Sequence, residues 1–332
     1  MAEKIGVVLF NLGGPDSLDA VEPFLYNLFQ DPDIFSFPLA FLFRKAFAKI
    51  ISRRRARKSR VYFEYMGGKS PITELTLKQA EALERKLNES RGEGGNLFKV
   101  VVAMRYWKPF TQEALAVLRA EGIRKVVLLP LYPQYSYATT RSSEREWDRQ
   151  CKKMRIRFEK EIRVSSYAAH PLYLKAMAAR IQESLEKFPL ERRSQAHLLF
   201  SAHGIPMKEV AAGDPYETQI HESMRGILKE LNLPNPSTLS YQSKVGPLKW
   251  LEPKTLETIE RLTHTGTRWM IAIPLSFVSD HSETLYELKK LYGDLALKRG
   301  VEQYELMPAL NDQPLFIECL REIVLSKLSE NL

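Results

Sequence analysis

The residues best suited to chemistry lie in two short stretches some 80 residues apart. In LLFSAHGIP (198–206) an apolar strand ends at a single histidine, His203, and Gly204 and Pro206 turn the chain away. In IPLSFVSDHSETLYEL (273–288) a second buried strand stops and a helix starts, carrying Asp280, Glu283 and Glu287. With Ser279 as its cap, that helix is expected to run from Asp280 to about Tyr292. Its three carboxylates would then fall at i, i+3 and i+7 on one face, with Leu285, Leu288 and Leu291 packing inward. A carboxylate row on a helix is ordinarily only its solvated face. Here it starts where a buried strand ends, and in open α/β sheets ligands bind beyond the carboxyl ends of the strands.

Imidazole and carboxylate oxygen together suit a borderline divalent cation such as Fe(II) and the protons displaced when it binds. His281, beside the carboxylates, is the next candidate; His170, His197, His221 and His264 have no such setting. There is no HExxH and no cysteine set, so a permanent zinc site is not expected, and the metal reads as passing through. Cys151 and Cys319 give no reason to expect a disulfide, and cytosolic chemistry is the default.

These residues need a scaffold, and the chain alternates strands with helices twice over. IGVVLF (5–10) is a continuous apolar run stopped by NLGGP, as a strand buried on both faces would be. That glycine turn lacks the GxGxxG spacing of a dinucleotide site. KVVVAMRYW (99–107), RKVVLLPLYPQYS (124–136) and IRVSSY (162–167) complete a first set of strands; LLFSA, TLSYQS (238–243), WMIAIPLSF and VEQYELM form a second. LFNLGGP from residue 9 is faintly similar to LFSAHGIP from 199, and LLPLYPQYS from 128 to AIPLSFVSD from 272. The expectation is an α/β protein of two units, each a parallel sheet flanked by helices, with polar and aromatic clusters at the strand ends. A terminal helix patterned at Leu315, Ile317, Leu320, Ile323, Val324 and Leu328 is expected to pack back on an earlier element.

Composition bounds the rest. The 332 residues, 44% hydrophobic and 27% charged, suffice for two ordinary domains with real cores. No apolar run is long enough to span a bilayer, and the N-terminus does not read as a signal peptide. The net charge is +9, and nine basic residues with no acid crowd the stretch from Arg44 to Arg60, so the remainder is neutral. Just before them, IFSFPLAFLF (34–43) is apolar. An apolar segment beside a basic one is the pattern of interfacial attachment to an anionic membrane surface. A nucleic-acid partner is disfavoured, because no aromatic-interleaved basic patch or nucleic-acid motif is present. In MGGKSPITELT (66–76), Ser70 and Pro71 suit a helix start.

NLGGP with FLYNLFQDPD, MGGKSPI, the RY of MRYW, LYPQYS, LFSAHGIP, GDPY, YQSKVGPLKWLEP and FVSDHSETLYEL together resemble the ferrochelatases over nearly the whole chain. The resemblance implies two Rossmann-like domains of the chelatase type, residues 1–170 with a porphyrin lip at about 33–60 and residues 171–308, with the active-site cleft between them. The last segment, 309–332, would be a helix packing back on the first domain. It implies Fe(II) insertion into protoporphyrin IX with release of two protons, the last step of haem synthesis. Alternatives are a coproporphyrin ferrochelatase and a cobalt or nickel tetrapyrrole chelatase.

The family's essential histidine falls on His203, as base or iron ligand, and its essential glutamate on Glu283. Asp280, His281 and Glu287 fall on an acidic path for the metal. Tyr106, Tyr132, Tyr241 and Trp250 are candidate walls for the macrocycle; Arg54, Arg55 and Ser70 are candidates for its propionates, and Arg105 and Leu12 are further substrate contacts. Leu12 stands where coproporphyrin-type relatives have a tyrosine, which with the apolar lip favours protoporphyrin IX. No resident cofactor and no [2Fe–2S] cluster are expected, because the chain lacks the C-terminal cysteines of some relatives. The expected location is cytoplasmic, peripheral on the inner face of the cytoplasmic membrane.

Overall fold

The computed structural model describes residues 3–34, 40–89, 95–244 and 246–330, the side chains of 40–42 aside. The chain divides into two compact units, Met1–Ser166 together with Ile317–Leu332, and Tyr167–Phe316.

The first unit runs β1 (Lys4–Asn11), α1 (Val21–Phe29), α2 (Ala40–Tyr65), α3 (Ile72–Glu89), β2 (Leu97–Met104), α4 (Thr111–Ala120), β3 (Lys125–Pro130), a π-helical turn (Tyr137–Arg141), α5 (Ser142–Met154) and β4 (Lys160–Arg163). Its four strands are all parallel in the order β2-β1-β3-β4. Apart from Lys4, every residue of β1 is buried. A central parallel strand covered on both faces has no polar side to show, which is why IGVVLF reads as an unbroken apolar run. Around it Phe10, Leu118, Leu128 and Trp147 close a core, with Phe10 and Trp147 meeting edge to face at 6.0 Å. Each such side chain contributes roughly 1.5–3 kcal/mol by leaving water.

The basic run lies on α2. Ala48, Ser52 and Ala56, spaced four apart, are buried, and the small side chains let α2 pack closely on Val21, Leu25 and Phe29 of α1. The basic residues lie on the outer surface of the helix among exposed apolar side chains, and Arg53 and Arg60 reach Glu22 and Asp19 at 3.3 and 3.6 Å. Residues 35–39 of the apolar stretch lie outside the described residues. Among the described residues no helix is long and apolar enough to cross a membrane.

The second unit repeats the plan. It contains α6 (Pro171–Leu185), β5 (His197–His203), α7 (Met207–Ala211), α8 (Tyr216–Leu231), β6 (Ser237–Gln242), α9 (Thr255–His264), β7 (Trp269–Pro274), a π-helix (Glu283–Tyr292), α10 (Gly293–Lys298) and β8 (Gln303–Leu306). Its strands are again all parallel, in the order β6-β5-β7-β8. β5 is the counterpart of β1 and β7 of β3, so the two faint sequence similarities mark equivalent strand ends. In both units the order reverses beside the central strand, and in both the third strand is followed by π-helical backbone.

Helix α11 (Pro314–Glu330) closes the chain, and its residues from Ile317 onward group with the first unit. Ile317, Leu320, Ile323, Val324 and Leu328 of the expected apolar face are buried, whereas Leu315 is 40% exposed.

Candidate active site

His203 is the last residue of β5, and its backbone is fixed on both sides. Its N–H donates to Ser276 Oγ at 3.0 Å, and its carbonyl accepts from the Tyr216 hydroxyl at 2.9 Å. Space beside the next residue is tight: a Cβ on Gly204 would come within 3.1 Å of the Gln242 carbonyl and 3.2 Å of the Trp250 ring. Trp250 is held over this turn by an antiparallel bridge to Pro206, and its ring lies 6.4 Å from that of His203. Phe277, which the sequence reading passed over, stands 6.2 Å from His203 and 4.6 Å from His281, edge-on to both.

The carboxylates arrive from the neighbouring strand, because β7 pairs with β5 and leads into the π-helix. Glu283 is the first residue of that helix, and its Oε2 lies 2.8 Å from His203 Nδ1. Side-chain exposures of 35% and 24% make the pair half-buried. Burial disfavours the charge on His203, but the Glu283 carboxylate overcomes it and holds the imidazole above its ordinary value, with Glu287 adding to the effect. Burial likewise opposes ionisation of Glu283, yet the His203 imidazole outweighs it, helped by His281 and the Ser243 hydroxyl, and the carboxyl lies well below its usual range. One position on the next turn sits Glu287, whose Oε2 accepts from Ser243 Oγ at 2.8 Å. Ser243 holds a left-handed backbone, φ +67°.

The expected α-helix from Asp280 to Tyr292 is therefore corrected. The segment from Glu283 to Tyr292 is π-helical, with i→i+5 rather than i→i+4 bonding, a form found often at functional sites. Asp280 and His281 precede it and share no helix face with Glu283. Leu288 is buried as expected, whereas Leu291 is 49% exposed. Asp280, expected on the acidic path, has its carboxylate engaged within the fold. It is buried, its Oδ1 accepts from Thr284 Oγ1 at 2.8 Å and from Ala309 N at 3.3 Å, and its Oδ2 accepts from Asn311 Nδ2 at 2.8 Å. These bonds take up three of the carboxylate's roughly four acceptor sites. His281 differs. Its Nδ1 lies 3.0 Å from the Ser279 carbonyl, which can only accept, so Nδ1 carries a proton, and in the neutral ring Nε2 is the acceptor. That Nε2 is buried with no hydrogen-bond partner among the described residues.

The other expected substrate contacts divide. Trp250 stays at the site, and Arg54 and Arg55 are exposed on α2, Arg55 with its guanidinium 5.9 Å from the centre of the Phe29 ring. Leu12 is half-buried against the core of its unit. Tyr106, Tyr132 and Tyr241, expected as walls of a macrocycle site, are 0%, 5% and 4% exposed. Tyr106 donates to Asp31 at 2.6 Å, and Arg105 binds the same carboxylate at 2.8 Å and Ser142 Oγ at 2.7 Å. Arg105 thus belongs to a buried hub on Asp31. Ser70 is 6% exposed; it accepts from Ile72 N at the start of α3 and abuts Gly14, where a Cβ would lie 2.6 Å from the serine side chain. The sequence reading missed Asp31, Ser243 and Asn311. Asp31 and Ser243 stand in the quoted motifs FLYNLFQDPD and YQSKVGPLKWLEP, and their hydrogen-bond partners Arg105 and Glu287 lie 74 and 44 residues further on.

The family model for ferrochelatase matches residues 4–328. The chain is 50% identical to a ferrochelatase of Aquifex aeolicus over 322 residues, covering 97% of this chain and 98% of that one. It is 48% identical to a ferrochelatase of Geotalea uraniireducens over 324 residues, covering 98% of each. Among solved structures, SirB from Bacillus subtilis with Fe3+ superposes with a TM-score of 0.56 at 8% identity, over 98% of this chain and 95% of that one. CbiX, the terminal enzyme for siroheme biosynthesis in denitrifying bacteria, gives 0.50 at 14% identity over 98% and 99%. These two share the fold. With the family match running almost end to end, the chain belongs to the ferrochelatase family.

Proposed function

We propose that this chain inserts Fe(II) into protoporphyrin IX, with His203 and Glu283 as the pair that manages the protons and the incoming metal. The observation that carries the reading is the 2.8 Å contact between His203 Nδ1 and Glu283 Oε2, a histidine and a carboxylate delivered by adjacent strands of one sheet. Iron is a substrate here, and so is the macrocycle. A free-base porphyrin must lose two pyrrole protons as the metal enters, so Fe(II) plus porphyrin gives haem plus two protons, with the propionates unchanged. Nδ1 of His203 is engaged by Glu283, which leaves Nε2 to accept a pyrrole proton or to meet the metal. The carboxylate strengthens the imidazole as a base and stabilises the imidazolium once formed. Glu287 and the free Nε2 of His281 extend the same set of acceptors, as a path along which protons or iron are relayed. Trp250 and Phe277 supply apolar, aromatic surface beside the histidine, as a flat macrocycle requires. Arg54 and Arg55 are proposed for the propionates, and Leu12 for the preference for protoporphyrin over the more acidic coproporphyrin.

The proposed location is the inner face of the cytoplasmic membrane, held by α2. Phe43, Ile50, Val61 and Tyr65 are 56%, 60%, 50% and 48% exposed. At 100° per residue they fall in one narrow stripe opposite the face packed on α1, with Arg54 and Arg57 between them. Each basic group beside an anionic surface contributes on the order of 1 kcal/mol, so attachment is peripheral and salt-sensitive.

Anaerobic incubation with Fe(II) and either protoporphyrin IX or coproporphyrin, followed through the porphyrin absorbance bands, tests the activity. Insertion into protoporphyrin IX that disappears in a folded, porphyrin-binding His203→Ala variant is the expected result. No insertion by the wild type would overturn the reading, and faster turnover of coproporphyrin would overturn the substrate. Sedimentation with anionic vesicles tests the location: wild type binds at low salt, and a variant with Arg53, Arg54, Arg55 and Arg57 changed to Gln does not. Equal binding by both would refute it.

A further inference from the structure

We propose that Asp280 and Asn311 form a clasp that sets the start of the π-helix and so aims Glu283 at His203; both are positioning residues, and a carboxylate at 280 is not itself required. The inference rests on the reading of Glu283 as the partner of His203. The two residues bind each other twice. The Asp280 amide donates to Asn311 Oδ1 at 3.0 Å, and Asn311 Nδ2 donates to Asp280 Oδ2 at 2.8 Å. Asp280 Oδ1 faces the other way and accepts from Thr284 Oγ1 at 2.8 Å and from the Ala309 amide at 3.3 Å. Thr284, fully buried, accepts in turn from the His281 amide at 3.0 Å. Asn311 is anchored independently, its amide donating to the Val278 carbonyl at 2.8 Å, and it holds a left-handed backbone at φ +48° that asparagine and aspartate tolerate.

Residues 280 and 284 are therefore both pinned, and Glu283 lies between them. Ser282, at the N-cap of this helix, makes no capping bond with its side chain. A π-helix is uncommon and gains from being fixed at its ends, so the loop at 309–311 acts on Glu283 through the clasp. Nothing in this arrangement uses the negative charge of Asp280 beyond its power to accept hydrogen bonds.

Exchanging the two residues separates the roles. Asp280→Asn alone turns an amide NH2 toward a donor, whichever way it is rotated. Asn311→Asp alone sets two carboxylates side by side. The double variant Asp280→Asn/Asn311→Asp restores every bond: Asn Oδ1 accepts from Thr284 and Ala309, Asn Nδ2 donates to the new carboxylate, and that carboxylate accepts the amide of 280. The charge moves to position 311.

The experiment measures kcat, KM and porphyrin affinity of the full chain for wild type, both single variants, the exchange and Glu283→Gln, with thermal melts. Each single variant is expected to lose about 10- to 100-fold in kcat at little-changed KM, the size of effect expected when a catalytic group is misplaced by about 1 Å. The exchange is expected to return to within a few-fold of wild type. An exchange variant that melts like wild type but stays as impaired as Asp280→Asn would overturn the proposal, showing that a carboxylate is needed at 280. Should the exchange not fold, Asn311→Gly decides. It keeps the left-handed backbone and the Asp280 carboxylate but removes the clasp, so kcat falls if the clasp positions Glu283, and a wild-type kcat refutes it. Full activity of Glu283→Gln would instead overturn the role of Glu283 on which the proposal stands, and is read separately from the exchange.

Discussion

Replacing Glu283 by glutamine keeps the shape of the side chain and removes its charge from beside His203. Two opposite charges 2.8 Å apart attract by about 1.5 kcal/mol in bulk water and by about 6 kcal/mol at an effective dielectric of about 20. The side chains are 35% and 24% exposed, so solvent screens the pair and the lower part of that range applies, about 1–2 kcal/mol. The sign with pH follows from the two groups. His203 is raised in the folded state, so its share of the stability is full below about pH 6.5 and is lost as pH rises through the raised value. Glu283 is lowered, so its share is full above about pH 4.5 and is lost as pH falls through the lowered value. Urea unfolding at pH 5.5 should therefore show Glu283→Gln less stable by about 1–2 kcal/mol, and the difference should shrink well above neutrality. The acid limb of the kcat/KM profile reports the free enzyme's base. With the carboxylate gone the imidazole is a weaker base, so the limb moves to lower pH while kcat falls by about 10²–10⁴. A limb that stays in place, with a stability difference unchanged between pH 5.5 and pH 9, would refute the coupling of these two residues.

Glu287→Gln loses its bond from Ser243 but leaves the His203 contact intact, so its kcat should fall much less than that of Glu283→Gln under identical assay; equal losses would make the two carboxylates equivalent. Asp31→Asn leaves Arg105 without its buried counter-charge and should cost about 3 kcal/mol in a denaturant melt, because a charge is stranded in the interior. Gly14→Ala drives a methyl group to 2.6 Å from Ser70 and should lower stability by about 1–3 kcal/mol through overpacking, seen as a lower melting temperature with an unchanged acid limb.

What the sequence determined by itself is the alternation of strands and helices and the residues at which strands end. Both are local: a strand covered on both faces must be apolar throughout, so IGVVLF and LLFSA declare themselves, and the first polar residue beyond such a run marks the open end of the sheet. His203 and the stretch around Glu283 were legible for that reason, and the near-complete match of motifs placed the family. Tertiary structure decided what each polar side chain answers to. Asp280 and Glu283 look alike in the sequence, yet Asn311, 31 residues further on, occupies the first, while His203, 80 residues earlier, meets the second. Arg105, Tyr106 and Ser142 converge on Asp31 from across the first unit, so residues that read as substrate contacts from the sequence also build an internal hub. The π-helix was equally hidden. An i→i+5 ladder differs from an α-helix by a small change in winding that leaves apolar spacing nearly unaltered, and contacts from outside the helix, such as the clasp at Asp280 and the Tyr304 hydroxyl on the Leu288 carbonyl, hold the wider turn.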